Sequence, residues 1–249
     1  MAAGKASGVA FEEAIAAVFR YMGFDAKRIG GAGDTDVVVR WKDNEGKMIV
    51  AIVDGKSKSS GTVTHSDISD VAIETHKEKN NADFVAIIAP GFSGDTIKGH
   101  SRKKGFALVT DLELIDIAKN SKALGLSLME ISLLFRSPNG LSQLDELIST
   151  KKRDMEIVTL VISTFKEEQE TMDSLSARDL YFLLRKTNVS PSMEELIRAF
   201  EILSKEEIGV LSQVKKASSL ENVTYSIGEG MRSVNRLRAL ATAIEKGLS

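Results

Sequence analysis

Residues 36–56 read DVVVRWKDNEGKMIVAIVDGK, and this stretch decides the fold. Val37–Trp41 is an apolar run of strand length. Lys42-Asp43-Asn44-Glu45-Gly46 is polar and ends in glycine, which suits a hairpin turn. Met48–Val53 is continuously apolar, the pattern of a strand covered on both faces. Side chains alternate along a strand, so Asp54 and Lys56, two apart, point to one face. Asp36 opens the partner strand, and the hairpin brings Asp36, Asp54 and Lys56 to one sheet edge.

Outward from the hairpin, residues 10–22 set Phe11, Ile15, Val18, Phe19 and Met22 at helical spacing, with Gly23 as the stop. Gly30, Gly31 and Gly33 make the next segment a loop. Downstream, the pattern predicts a helix over 67–79 and a buried strand over Phe84–Ala89. A basic helix over 94–104 and a strand over Phe106–Val109 follow. Asp111 is the expected cap of a helix through Ala118. This order predicts an α/β domain with a mixed central sheet flanked by helices, closing near residue 120.

The composition changes after about residue 125. Residues 127–135 and 141–149 read as short helices, broken at Ser137-Pro138-Asn139-Gly140. A longer helix is expected over 154–170. Ser176 suits the N-cap of a helix carrying Leu180, Leu183 and Leu184. Pro191 suits the first turn of a helix with Leu196, Ile197, Phe200 and Leu203. Two strands, Ile208–Val214 and Val223–Ile227, then flank a polar loop, and a last helix covers about 229–246. Three helices, a two-stranded hairpin and another helix is the order of a winged helix-turn-helix domain. The expected layout is a first domain over 1–122, a helical linker over 123–152 and a winged-helix-like domain over 153–249.

Bulk properties exclude several classes. Net charge is −2, with 17 basic and 17 acidic residues in 1–125 and 16 and 18 in 126–249. Nucleic-acid binding would therefore rest on local patches rather than on a bulk field. There are no cysteines, so disulfides, thiolate nucleophiles and cysteine zinc sites are excluded. Three histidines (His65, His76 and His100) argue against a histidine-rich metal centre. No apolar run approaches the roughly 20 residues of a membrane span, and a cytoplasmic protein is expected.

The chemistry suggested by Asp36, Asp54 and Lys56 is phosphodiester hydrolysis. Attack by water builds negative charge around phosphorus. Carboxylates and a backbone carbonyl, for which that of Gly55 is a candidate, are the hard oxygen ligands that Mg²⁺ prefers. A lysine beside them can orient the attacking water or offset phosphate charge.

Further motifs make the pattern recognisable. FEEAIAAVFRYMGF (11–24), VDGKSKSSG (53–61), NADFVAIIAPGFSGD (81–95) and KKGFALVTDLELIDIA (103–118) flank and include the cluster. Together they resemble the PD-(D/E)xK nuclease superfamily, and in particular the cleavage domains of type IIS restriction endonucleases, over roughly residues 9–119. Thr35 stands where the motif has proline, and the resemblance is to the variant with aspartate, here Asp54, in the third acidic position. The resemblance implies that Glu12 is the acid of the first helix, with Glu13 as fallback. Asp34 is a second candidate beside Asp36, which is preferred because it abuts the apolar strand.

The reading is therefore an Mg²⁺-dependent endodeoxyribonuclease, most like a type II restriction enzyme, acting on double-stranded DNA. Asp36, Asp54, Glu12 and the Gly55 carbonyl are the expected metal set, with Lys56 on the attacking water. Double-strand cutting needs two such sites, so a homodimer is expected at least during cleavage. A repair, junction-resolving or nicking nuclease, or a non-catalytic regulator, are the rival readings. Candidate DNA contacts are Lys58 near the cluster, Lys98, Arg102 and Lys103 on the basic helix, and Lys215 and Lys216 in the wing. Ser57 and Ser59 sit beside Lys58, and His65 follows the strand and could face the cleft. Asp70 and Glu74, at helical spacing, could meet a metal.

Overall fold

A computed structural model describes residues 8–30, 35–58 and 61–248. The chain divides into two compact units, Met1–Ser149 and Thr150–Ser249.

In the first unit the hairpin forms as its pattern requires. Strand β2 (Val37–Lys42) pairs antiparallel with β3 (Met48–Gly55), with Val37 opposite Val53. Strands β4 (Phe84–Ala89) and β5 (Phe106–Thr110) extend the sheet in parallel from β3. Helices α2 (Asp70–Lys79) and α3 (Asp95–Lys104) make the two crossovers that parallel strands need. A further strand, β1 (Asp25–Arg28), pairs antiparallel with the outer edge of β2. The sheet order is thus β1-β2-β3-β4-β5, mixed and five-stranded. The segment around β1 had been expected as loop. Its sequence, DAKR, buries only Ala26, so pairing with β2 rather than apolar pattern makes it a strand.

The continuous apolar runs follow from coverage of both faces. Val37, Val39, Trp41, Ala51, Val53, Ile88 and Val109 pack on one face against α1 (Gly8–Met22) and α4 (Asp111–Ala123). Val38, Ile52, Val85, Ile87 and Phe106 pack on the other, with Ile73 of α2. Residues 123–149, most of the span expected as a helical linker over 123–152, contribute to the first face. They comprise α5 (Leu128–Ile131), a 3-10 turn (Ser132–Phe135) and the start of α6 (Gly140–Glu168). Leu134, Phe135, Leu144 and Ile148 are buried there. Phe135 stacks on Phe19 at 5.7 Å and on Trp41 at 5.3 Å between ring centroids.

Helix ends are set by side-chain caps. Thr110, not Asp111, is the N-cap of α4, in a reciprocal box with Glu113. Gly105 ends α3 with φ of 76°, a left-handed conformation that favours glycine.

The second unit begins inside α6, so the two helices expected over 141–149 and 154–170 are one. Its order continues with β6 (Leu175–Ser176), α7 (Ala177–Leu184), α8 (Met193–Leu203), β7 (Leu211–Lys215), β8 (Thr224–Ile227) and α9 (Gly230–Leu248). The strands form an antiparallel sheet of order β6-β8-β7. Ser176 caps α7, with Asp179 completing the box. Ser192 caps α8, so Pro191 lies just outside the helix rather than in its first turn. The core gathers Ile157, Val161, Phe165, Leu180, Leu196, Phe200 and Leu211. Glu195 of α8 is tied to Arg153 of α6 at 2.9 Å, which gives the acidic start of this helix a structural role. Among the described residues no helix is long and apolar enough to cross a membrane.

Candidate active site

The register of the hairpin sets the site. Continuing the Val37–Val53 pairing by one residue puts Asp36 opposite Asp54. The Gly55 amide donates to Asp36 Oδ2 at 2.7 Å. Lys56 Nζ lies 2.9 Å from Asp54 Oδ2. The Lys56 amide donates to the Ile88 carbonyl at 2.8 Å, which prolongs the β3–β4 ladder and fixes where this lysine stands. Asp36, Asp54 and Lys56 therefore meet at the carboxyl end of β3.

Glu12 approaches from α1 but is already engaged. Its Oε2 accepts from Arg28 Nε at 2.7 Å, in a pair whose side chains are 15% and 27% exposed. Glu13, the fallback acid, pairs instead with Arg20 at 2.7 Å on an exposed face. Asp34 and Ser59 lie outside the described residues.

The electrostatics are those of crowded carboxylates. Burial pushes the Asp36 carboxyl up to about 7. Donation from the protonated Asp36 carboxyl to the neighbouring Asp54 and the charges of Asp54 and Glu12 add to the rise, and the Gly55 amide opposes it. Two crowded carboxyls favour holding a proton between them, and a hard cation could take that proton's place, so the donor chemistry fits a divalent metal. Among the described residues no three His, Asp or Glu side chains are arranged to hold a metal ion. The geometry thus supplies a carboxylate pair with a flanking lysine, and a third carboxylate held back by Arg28.

Packing sets the size of residue 55. A Cβ there would sit 3.0 Å from Ile15 Cδ1 and 3.5 Å from Phe11 Cδ1. Close packing of α1 on the end of β3 therefore needs glycine.

A cleft of about 280 Å³ opens beside the cluster, lined by Gly55, Lys56, Ser57, Lys58, Val63 and Asp67. Lys58 Nζ is 2.6 Å from Asp67 Oδ2, so its charge is already matched. Lys58 and the backbone of Thr64 hold the Asp67 carboxyl well below the usual range. His65 is exposed and meets His100 edge to face, at 4.3 Å between ring centroids. Asp70, expected as a possible ligand, accepts from His100 Nε2 at 2.6 Å, while Glu74 pairs with Lys104 at 2.7 Å. His100 holds the Asp70 carboxyl down, with Lys104 adding to the effect.

The remaining candidates lie apart from this cluster. Lys98, Arg102 and Lys103 are exposed on α3. Lys98 and Arg102 line a separate groove of about 430 Å³ between α3 and the 134–142 segment. Lys215 ends β7 in the second unit, and Lys216 follows it.

Arg28 escaped the sequence reading, and Thr35 was read only as a departure from the motif. Arg28 stands on a strand with no apolar pattern, and nothing local marks it as the partner of Glu12. Thr35, in the motif's proline position, is buried and its hydroxyl donates to the Val53 carbonyl at 3.2 Å, tying the hairpin beside the acids.

No curated protein matches the chain. A family model does match, over residues 3–118, a span that contains β1 to β5, the hairpin and all four clustered side chains. The mixed sheet flanked by helices agrees with that match, and residues 3–118 are similar to the restriction-endonuclease family Mrr_cat.

Proposed function

We propose that this chain is an Mg²⁺-dependent endodeoxyribonuclease of the type II restriction kind, cutting double-stranded DNA. The observation that carries this reading is the Asp36–Asp54 pair, opposed in the hairpin register, with Lys56 on Asp54, at the end of a strand within the span similar to the nuclease family. Asp36 and Asp54 would hold the cation directly, helped by the Gly55 carbonyl. Glu12 would act through water, since Arg28 holds its carboxylate. When bound, the cation supplies positive charge that favours ionised water and offsets charge on the leaving oxygen. Lys56, its backbone fixed by the β4 ladder and its Nζ beside Asp54, orients the attacking water and offsets charge on the phosphate. Water attacks phosphorus, its proton passes to solvent, and the bond to the leaving sugar oxygen breaks.

The second unit is, on this reading, a winged-helix-like DNA-binding or dimerisation domain. Support comes from its order of α6, β6, α7, α8, β7 and β8 and its small antiparallel sheet. Helix α8 would be the recognition helix, and Lys215 and Lys216 would meet phosphate from the β7–β8 connection. Two copies would act together in cutting both strands.

Plasmid DNA with Mg²⁺, treated in parallel with wild type, Asp54→Ala and Lys56→Ala, tests the catalytic reading. Cleavage by wild type should exceed that of either variant by about 10²–10⁴-fold. Equal background in all three sinks it. Discrete fragments support a restriction enzyme, whereas a smear favours a repair-type nuclease.

A further inference from the structure

A groove opens between α3 and the 134–142 segment. Its floor is β5, the outer strand of the sheet. Phe92 and Leu134 give it apolar walls, and Lys98 and Arg102 rise along one side. These two cations are one helical turn apart, on one face of α3. Among the described residues neither forms an ion pair, whereas Lys56 and Lys58 at the neighbouring cleft are both matched by aspartates. Glu113 also lines the groove, but its carboxylate accepts from the Thr110 amide at 2.7 Å and hydroxyl at 2.8 Å, capping α4. A volume of about 430 Å³ falls in the range of small-ligand sites, roughly 300–1,000 Å³.

The groove is also linked to the catalytic cluster. The β3–β4–β5 ladders are parallel, with Gly55 opposite Ile88 and Ile88 opposite Val109. Thr110 at the groove thus stands level with Lys56, two strand spacings or ~10 Å across the sheet. Val63, in the wall of the Lys56 cleft, bridges to Phe92, in the wall of the groove. The Val63 amide donates to the Gly91 carbonyl at 2.8 Å, and the Ser93 amide to the Val63 carbonyl at 2.9 Å. One short ladder therefore separates the two depressions.

We propose that this groove is a nucleotide subsite for the DNA strand being cut, within about three nucleotides of the scissile phosphate, since phosphates recur at about 3.4 Å of axis along a strand. Lys98 and Arg102 take a phosphate pair, and Phe92 offers a face on which an unstacked base rests. The proposal rests on the nuclease reading for its substrate. It differs from a plain basic surface because Lys103, next in sequence on the same helix, does not line the groove and should be dispensable.

The test uses the full chain and a short fluorescein-labelled DNA, duplex or single-stranded, in EDTA so that binding is read without cleavage. Lys98→Ala/Arg102→Ala should weaken binding about tenfold at low salt and lower the slope of log affinity against log salt by about 2. Lys103→Ala should change affinity less than about twofold. Phe92→Leu should reduce the fluorescence change of 2-aminopurine placed two nucleotides from the cut, with the salt slope intact. A wild-type slope in the double variant, or an equal loss in Lys103→Ala, overturns the subsite. If Lys56→Ala still cuts plasmid like wild type, the nuclease reading falls on its own, and the salt slope still decides the groove.

Discussion

Arg28 Nε lies 2.7 Å from Glu12 Oε2, so a strand with almost no apolar character holds the acid of the first helix in place. The pair is partly buried, and breaking it leaves Glu12 uncompensated near Asp36. Arg28→Ala should destabilise the first unit by about 1–3 kcal/mol, read as a lower urea midpoint. Arg28→Ala/Glu12→Gln should recover much of the loss. A single variant as stable as wild type would mean the pair is a surface accident.

Asp36 makes the fold pH-dependent. Its folded carboxyl titrates near 7, above the carboxylate's value in an unfolded chain. The folded state therefore binds the proton more tightly, and stability should fall as pH rises from about 4 to about 7. Asp36→Asn removes that slope, so the variant should gain on wild type between about pH 5 and pH 8 in urea melts with EDTA. Mg²⁺ should stabilise wild type more at the higher pH, where no proton competes for the pair. Parallel pH profiles for wild type and Asp36→Asn would contradict the crowding.

Gly55→Ala tests the packing of α1 on β3. The new methyl meets Ile15 Cδ1 at 3.0 Å, tighter than ordinary contact. Overpacking of this kind should destabilise by about 1–3 kcal/mol, and Ile15→Val should restore part of it. Additive losses in the double variant would place the strain elsewhere.

Phe135→Ala tests whether residues 123–149 belong to the nuclease core. The ring is fully buried against Phe19 and Trp41. Its removal should cost about 3–5 kcal/mol and lower the melting of the first unit. A loss below about 1 kcal/mol is what a linker residue would give.

Much of this fold was legible because its signals are local. The DNEG turn, the unbroken MIVAIV run and the FVAIIA run each report their own environment within a few residues. Ser176 at a helix start does the same. From such runs the hairpin register followed, and with it the meeting of Asp36, Asp54 and Lys56. Thr110 and Pro191 show where local signals mislead, because several good capping residues lie side by side and only the helix path selects one.

What the amino-acid order determined alone is the alternation and length of the apolar runs, hence a mixed sheet with acids and a lysine at the end of a central apolar strand. Tertiary structure decided the rest. It made DAKR a strand by pairing it with β2, set Arg28 on Glu12, and wedged Phe135 between Phe19 and Trp41. It also joined two expected helices into α6. These contacts link residues far apart in the chain, and their free energy comes from pairing and packing that no local periodicity records.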